Sequence, residues 1–418
     1  MHDEYSVKKL HFNSFNIVRK LLLYYNLVEV LDMLTKMTIE NYTTFTHKTV
    51  FDFTATNYKS LQEENVASNK VLKGALFVGE NASGKTKILL AITFLLDLLF
   101  KDADPDFMLR KSFYTKKDNF ALSYSFSVDD AAIIYSFTCS ETAIVKENLS
   151  LNGERLIERL GNTASFTYDG EEKIYSDLSS NLLFLRRLYF DTHFYKNEIL
   201  NKWYSFLKRS VYINCNTRQI INYDNNVNLG IDEYLKKNST DKINAFLEKI
   251  NYGQEIEYSD VFENKDRSYR VNTDSNHKMI GFRKQGTDIY IPMILESSGN
   301  HTFVNLLPAF LWAVDNECMI ILDEFSSGLH NELEECLIKF FFHYSGNSQL
   351  FFTSHSTNIL NTKLIRPDQV YSVSFVQGKG SVIHRFSEQS PREAQNIEKM
   401  YLNGVFDDLP RYIKKFED

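Results

Sequence analysis

The 418-residue chain carries 47 Lys+Arg against 54 Asp+Glu, a net charge of -7, with 43% hydrophobic and 24% charged residues. At about 150 residues per domain the length allows two to three domains, and the composition is that of globular material able to bury a sizeable core. It excludes a disordered tail protein, a collagen-like repeat and a disulfide miniprotein, and the acidic balance speaks against a dedicated nucleic-acid coat.

The N-terminus has early polar residues, His2, Asp3 and Glu4, and no apolar run followed by a small-residue cleavage site, so no signal peptide is expected. A short apolar run, Gly74–Val78, leads into a glycine-bearing turn and then a helix-like stretch, Lys85–Phe100. The most apolar part of that stretch, Ile88–Phe100, is shorter than the roughly 18 residues of a membrane span and carries Asp97. From Ala121 to Tyr168 alternating runs such as ALSYSFSV and IIYSFTCS predict antiparallel strands. From Asp177 to about Gly253 charged and apolar residues mix at helical spacing. Strand-like pieces return near Ser268–Val271 and Asp288–Ile294. From Ser298 the order is helix, strand (Met319–Leu322), helix, strand (Leu350–Thr353), the alternation of an α/β sheet. The first and last thirds thus read as two pieces of one α/β domain around a helical block. Cys139, Cys215, Cys318 and Cys336 are far apart and read as reduced thiols of a cytoplasmic protein, with no zinc site. The 33 Phe and 24 Tyr are read mainly as core packing.

GENASGKT, from Gly79 through Glu80, Asn81, Ala82, Ser83, Gly84 and Lys85 to Thr86, fits the phosphate-binding pattern G-x-x-x-x-G-K-[ST] in full. Glycines let the backbone curl so that successive N–H groups face phosphate oxygens, with a helix N-terminus behind them. Lys85 is expected to reach the β- and γ-phosphates, and the Thr86 hydroxyl to ligate Mg²⁺. In MIILDEF, Met319 to Phe325, an apolar strand ends in two carboxylates, where an open α/β sheet places its chemistry. Asp323 is expected to hold the Mg²⁺ through water, and Glu324 to orient or deprotonate the attacking water. ESSGN, Glu296–Asn300, opens a helix-like run with Ser297 as N-cap and Gly299 leaving room for a phosphate. After the strand Leu350–Thr353 comes SHSTNIL, whose His355 is either a packing or surface residue or, at the end of the strand after the carboxylate pair, a contact to a γ-phosphate, directly or through water.

These motifs resemble the ABC-type ATPase heads of the SMC/RecF group. More narrowly the chain resembles compact bacterial ATPases of phage-defence operons, such as the ATPase subunit of PARIS and relatives of RloC, PtuA and the OLD proteins. The resemblance rests on LFVGENASGKT, ESSGN, IILDEFSSGLH and FFTSHSTNIL. It extends to MLTKMTIENYTTF (Met33–Phe45) at the front, and to Asp368–Tyr371, Arg392 and YLNGVFDDLP (Tyr401–Pro410) at the tail. It implies an α/β P-loop NTPase, an ABC-type head with a mixed sheet, an antiparallel β subdomain and an inserted helical arm. The corresponding divisions are an extension at 1–32, head segments at 33–176 and 254–418, and a helical insertion at 177–253.

The resemblance further implies an ATP-sandwich dimer, or a higher homo-oligomer built on it. Gly79–Thr86 of one subunit would bind ATP, Ser297 and Gly299 of the other would cap the γ-phosphate, Ser326–His330 would form the D-loop, and His355 would be the switch histidine. Ser298 and Asn300 depart from the usual signature, and no Q-loop glutamine is assignable after Phe100, so hydrolysis is expected to be slow. About 60 residues follow His355, too few for a C-terminal nuclease domain of the OLD type. The expected function is therefore an ATPase sensor or regulator of a separately encoded nuclease or toxin in anti-phage defence, with a phage-derived trigger. The alternative is a RecF/SMC-like ATPase that clamps DNA in repair or chromosome maintenance. A transporter motor fits less well, because about 210 residues separate the P-loop from ESSGN. Seven Lys/Arg between Arg186 and Arg218, interleaved with aromatics, leave a protein or nucleic-acid surface open.

Overall fold

The computed structural model describes residues 32–263, 270–272, 277–361, 363–393 and 395–406. The expected N-terminal extension, apart from Asp32, and the tail from 407 to Pro410 lie outside them, as does the start of the strand expected at Ser268–Val271.

Two sheets organise the chain. The first has eight antiparallel strands in the order Thr49–Asp52, Met33–Glu40, Phe120–Val128, Ala131–Cys139, Ile144–Leu151, Glu154–Leu160, Thr163–Tyr168 and Glu171–Tyr175. Its alternation is visible in FALSYSFSV, where Phe120, Leu122, Tyr124, Phe126 and Val128 are buried while the residues between them are half-exposed. Two-residue turns at Asp129–Asp130 and Asn152–Gly153, with φ positive at both positions, match the right-handed twist of the strands they join.

The second sheet has seven strands in the order Gln219–Asn222, Val211–Asn214, Met319–Asp323, Gln349–Thr353, Gly74–Gly79, Val370–Val376 and Gly380–Arg385. The inner five run parallel and the two outermost pair antiparallel. Every residue of Met319–Asp323 and Gln349–Thr353 is buried, as expected for parallel strands covered on both faces. Successive side chains sort into two cores. Ala75, Phe77, Met319, Ile321 and Phe351 join the helix Lys85–Phe100 and the antiparallel sheet. Leu76, Val78, Ile320, Leu322, Leu350 and Phe352 join the helices Ser298–Asp315 and Asn331–Tyr344.

Segment 177–253, expected as a helical arm, differs in two respects. Its apolar triplet Val211-Tyr212-Ile213 forms a strand parallel to Met319–Asp323, so the segment builds part of the central sheet. Its first two helices, Phe184–Thr192 and Glu198–Lys208, bury Leu185, Leu188, Trp203, Phe206 and Leu207 in the larger core. An apolar face of that size is held against the body and not extended into water. A fully buried pair fixes the first helix: Glu147 accepts from the N–H groups of Phe184 (2.7 Å) and Leu185 (2.8 Å), with Arg159 at 3.5 Å. Burial holds the Glu147 carboxyl above its ordinary range, and the two backbone N–H groups and Arg159 oppose that rise.

Side-chain hydrogen bonds lock the two sheets to each other. Gln349 donates to the carbonyls of Leu34 (3.0 Å) and Leu72 (3.1 Å) and accepts from Leu34 N–H (2.7 Å). The buried Arg366 pairs with Asp368 at 2.9 Å and donates to the carbonyls of Tyr58 and Ser60.

Candidate functional site

The phosphate-loop strand ends at Gly79, whose φ is 144° and where a Cβ would lie 2.1 Å from the carbonyl oxygen of Val373. Only glycine fits so close to a neighbouring strand. Ala82 (φ 62°) and Gly84 (φ 114°) complete the curl into the helix that begins at Lys85. No side chain caps that helix, so its first N–H groups are available to an anion. Lys85 is 5% exposed, and its Nζ donates to the carbonyls of Gly79 (2.9 Å) and Glu80 (2.7 Å). The ammonium is thereby folded over the loop formed by Glu80, Asn81, Ala82 and Ser83. Burial lowers the Lys85 pKa, and the charges of Glu324 and Asp323 act against that fall.

Three neighbouring strands present a row of polar side chains at their carboxyl ends, because Asn214 is in register with Asp323 and Phe352 is in register with Leu322 one residue earlier. Asp323 is buried. Its Oδ1 accepts from Thr86 Oγ1 (3.0 Å) and Thr353 Oγ1 (2.8 Å), and its Oδ2 from the Asn214 amide (3.4 Å). Burial raises the Asp323 pKa, and the two threonine hydroxyls pull it back. Glu324 follows at φ 56°, its N–H donating to Thr353 Oγ1 at 2.9 Å. This turn swings its carboxylate out to the partly exposed His355, with Oε2 3.3 Å from Nε2. The His355 N–H is held by Ser326 Oγ at 3.1 Å.

The donor set suits a hard divalent cation: the Thr86 hydroxyl and the Asp323 carboxylate meet at 3.0 Å beside an anion-binding loop. Among the described residues no group of three or more His, Cys, Asp or Glu could hold a metal by itself. A cation here would therefore be shared with phosphate oxygens, which is how Mg²⁺ is usually held beside nucleotides.

Ser297 and Gly299 sit elsewhere. Ser297 is the N-cap of the helix Ser298–Asp315, its Oγ accepting from Asn300 N–H at 3.2 Å. A Cβ on Gly299 would lie 2.9 Å from the carbonyl of Gly328, so this helix start packs closely on the loop Ser326–His330. No hydrogen bond among the described residues links Ser297 or Gly299 to the phosphate loop. The structure thus gathers Lys85, Thr86, Asp323, Glu324 and His355 in one place and holds the ESSGN helix start beside the loop that follows Glu324. Two contributors escaped the sequence reading, Thr353 and Asn214. The only signal for Thr353 was its place two residues before His355, and for Asn214 its place after a short apolar triplet.

The basic run from Arg186 to Arg218 is mostly spent within the molecule. Arg186 pairs with Asp102, Arg187 with Asp191, Lys202 with Asp129, Lys208 with Asp224 and Arg209 with Glu317. Trp203 is fully buried.

A phosphate loop entering a helix, facing a carboxylate-terminated strand two positions away in a mainly parallel sheet, defines a P-loop NTPase fold. Residues 75–361 match the family described as "AAA domain, putative AbiEii toxin, Type IV TA system", and the chain belongs to that family. Among solved structures it is similar to the SMC head domain from Thermotoga maritima, at 15% identity and a TM-score of 0.46 over 84% of this chain and 98% of that one. It is also similar to the Smc head domain with an extended coiled coil bound to the C-terminal domain of ScpA derived from Pyrococcus furiosus. That likeness is at 11% identity and a TM-score of 0.46 over 86% of this chain and 98% of the other. A search of the curated proteins finds no match. No helix among the described residues is long and apolar enough to cross a membrane.

Proposed function

We propose that this protein binds and hydrolyses ATP with Mg²⁺, dimerises through the bound nucleotide, and acts as sensor or regulator of a separately encoded effector in anti-phage defence. The observation that carries the enzymatic part is the convergence of Lys85, Thr86, Asp323, Glu324 and His355 at the carboxyl ends of adjacent strands. The loop from Gly79 to Thr86 would cradle the phosphates, with Lys85 releasing its carbonyl partners to reach the β- and γ-phosphates. Thr86 and Asp323 would hold Mg²⁺, which supplies charge neutralisation on the phosphate oxygens. Glu324 would orient and deprotonate the attacking water, and His355, already 3.3 Å from Glu324, would keep that carboxylate aimed and contact the γ-phosphate. Charge stabilisation and positioning account for most of phosphoryl-transfer catalysis, and the site is built from groups of that kind.

Ser297 and Gly299 lie on a helix start that packs on the loop Ser326–His330, and there they would serve the nucleotide of a second subunit. The defence role rests on family membership, whose description names a toxin and a toxin–antitoxin system. DNA clamping has less support, because five of the seven cations between Arg186 and Arg218 are already paired inside the chain. Co-purification with the products of adjacent genes, with and without ATP, tests the regulatory part. A nucleotide-dependent complex with a nuclease or toxin is expected, and selective retention of DNA with no protein partner would favour the clamp.

A further inference from the structure

Asp323 is held asymmetrically. Its Oδ1 has two hydroxyl donors, Thr86 and Thr353, its Oδ2 has the Asn214 amide at 3.4 Å, and the Glu324 N–H also acts on the carboxylate. The orientation of that amide is set from the far side. Asn214 Oδ1 accepts from Thr217 N–H at 2.9 Å, which leaves the NH₂ group facing the carboxylate. Because Asn214 and Asp323 are Cα partners on parallel strands, their side chains leave the sheet on the same face, and the contact is fixed by strand register. Two residues further on, Asn216 Oδ1 accepts from Ser327 Oγ at 3.4 Å. Ser327 is in turn tied to the carboxylate loop, its N–H donating to the carbonyl of Glu324 at 2.8 Å. One short turn therefore touches both the Asp323 carboxylate and the loop Ser326–His330, against whose Gly328 the start of the ESSGN helix packs.

We propose that the turn Asn214–Asn216 is a positioning element, in which Asn214 fixes the Asp323 carboxylate for the divalent cation and Asn216 links that carboxylate to the loop Ser326–His330. The inference rests on the nucleotide reading above. A carboxylate that loses one of its orienting donors loses part of its preorganisation for a metal, and partners that orient metal ligands typically matter about 10–100-fold in metal affinity. Asn216 adds a consequence: a second subunit pressing on the Ser326–His330 loop is felt at Asp323 through this turn.

The test uses Mn²⁺ as the probe metal, followed by electron paramagnetic resonance with a non-hydrolysable ATP analogue on the full chain. Asn214→Ala is expected to raise the Mn²⁺ concentration at half-occupancy about 10-fold while leaving metal-free analogue binding within about twofold of the parent. Asn214→Gln, which restores an amide donor, is expected to recover most of the loss, an outcome that a general loosening of the fold does not produce. Asn216→Ala is expected to keep the Mn²⁺ affinity of dilute protein and to abolish its tightening at dimer-forming concentrations. Unchanged Mn²⁺ affinity in a folded Asn214→Ala protein overturns the inference and leaves the nucleotide reading standing. Failure of the parent chain to bind the analogue with Mn²⁺ overturns both.

Discussion

Glu324 and His355 face each other across two neighbouring strand ends, with Glu324 Oε2 3.3 Å from His355 Nε2. The pair exists because Glu324 adopts a left-handed turn directly after the buried Asp323, which sends consecutive carboxylates in different directions. Asp323 points into the site toward Thr86, and Glu324 points out toward the histidine.

Glu324→Gln should leave nucleotide binding in place and reduce turnover by about 10²–10⁴-fold, the usual contribution of a positioned general base. His355→Ala should lower turnover by a smaller factor and weaken the ATP affinity of the Glu324→Gln form modestly, because it removes a contact to the γ-phosphate. Single-turnover hydrolysis and equilibrium binding of a fluorescent ATP analogue separate the two effects.

Lys85→Ala should abolish tight nucleotide binding. Its ammonium is folded onto the loop at 2.9 and 2.7 Å from the Gly79 and Glu80 carbonyls, so the substitution removes both a phosphate contact and a clamp on the loop. Calorimetric titration with ATP and Mg²⁺ checks this, and retention of parental affinity would contradict it.

The buried pair of Glu147 and Arg159 fastens the helix Phe184–Thr192 to the antiparallel sheet. Arg159→Ala removes one partner and leaves the other buried, a change that typically destabilises by about 3–5 kcal/mol. Urea denaturation should show this loss, and a shift below about 1 kcal/mol would mean the pair is dispensable.

Glu334, on the helix that follows the loop Ser326–His330, is 1% exposed, and burial raises its pKa from 4.5 to about 7, with Ser356 acting against the rise. The folded state therefore keeps a proton that the unfolded chain has already released between pH 4.5 and about 7. Stability from this group is fully present below pH 4.5 and is lost as pH rises through about 7. Glu334→Gln should remove that loss and gain about 1–3 kcal/mol over the parent at pH 8, with little difference at pH 4.5. Parallel unfolding curves at the two pH values test the sign.

The local elements around the two motifs were more legible than the long-range pairing of the strands. GENASGKT and MIILDEF are local patterns whose meaning lies in contiguous residues, and strand, loop and helix fall where the patterns place them. The N-cap at Ser297 was legible for the same reason, because one side chain and the N–H three residues on decide it. The strand Val211–Asn214 was not legible. Three apolar residues cannot distinguish strand from helix, and their place is set by pairing with Met319–Asp323, more than a hundred residues away. The contact of Asn214 with Asp323 inherits that invisibility. The basic run from Arg186 to Arg218 had the opposite problem: its charges were plain, and their partners, such as Asp102, Asp129 and Glu317, were distant.

The central claim, an ATPase that closes on its nucleotide as a dimer, is tested most directly by native mass spectrometry of the Glu324→Gln protein with ATP and Mg²⁺, alone and with Ser297→Arg added. A dimer carrying two ATP molecules is expected for Glu324→Gln, and a nucleotide-bound monomer once Ser297→Arg is present. A Glu324→Gln protein that binds ATP and stays monomeric at every concentration would contradict the claim.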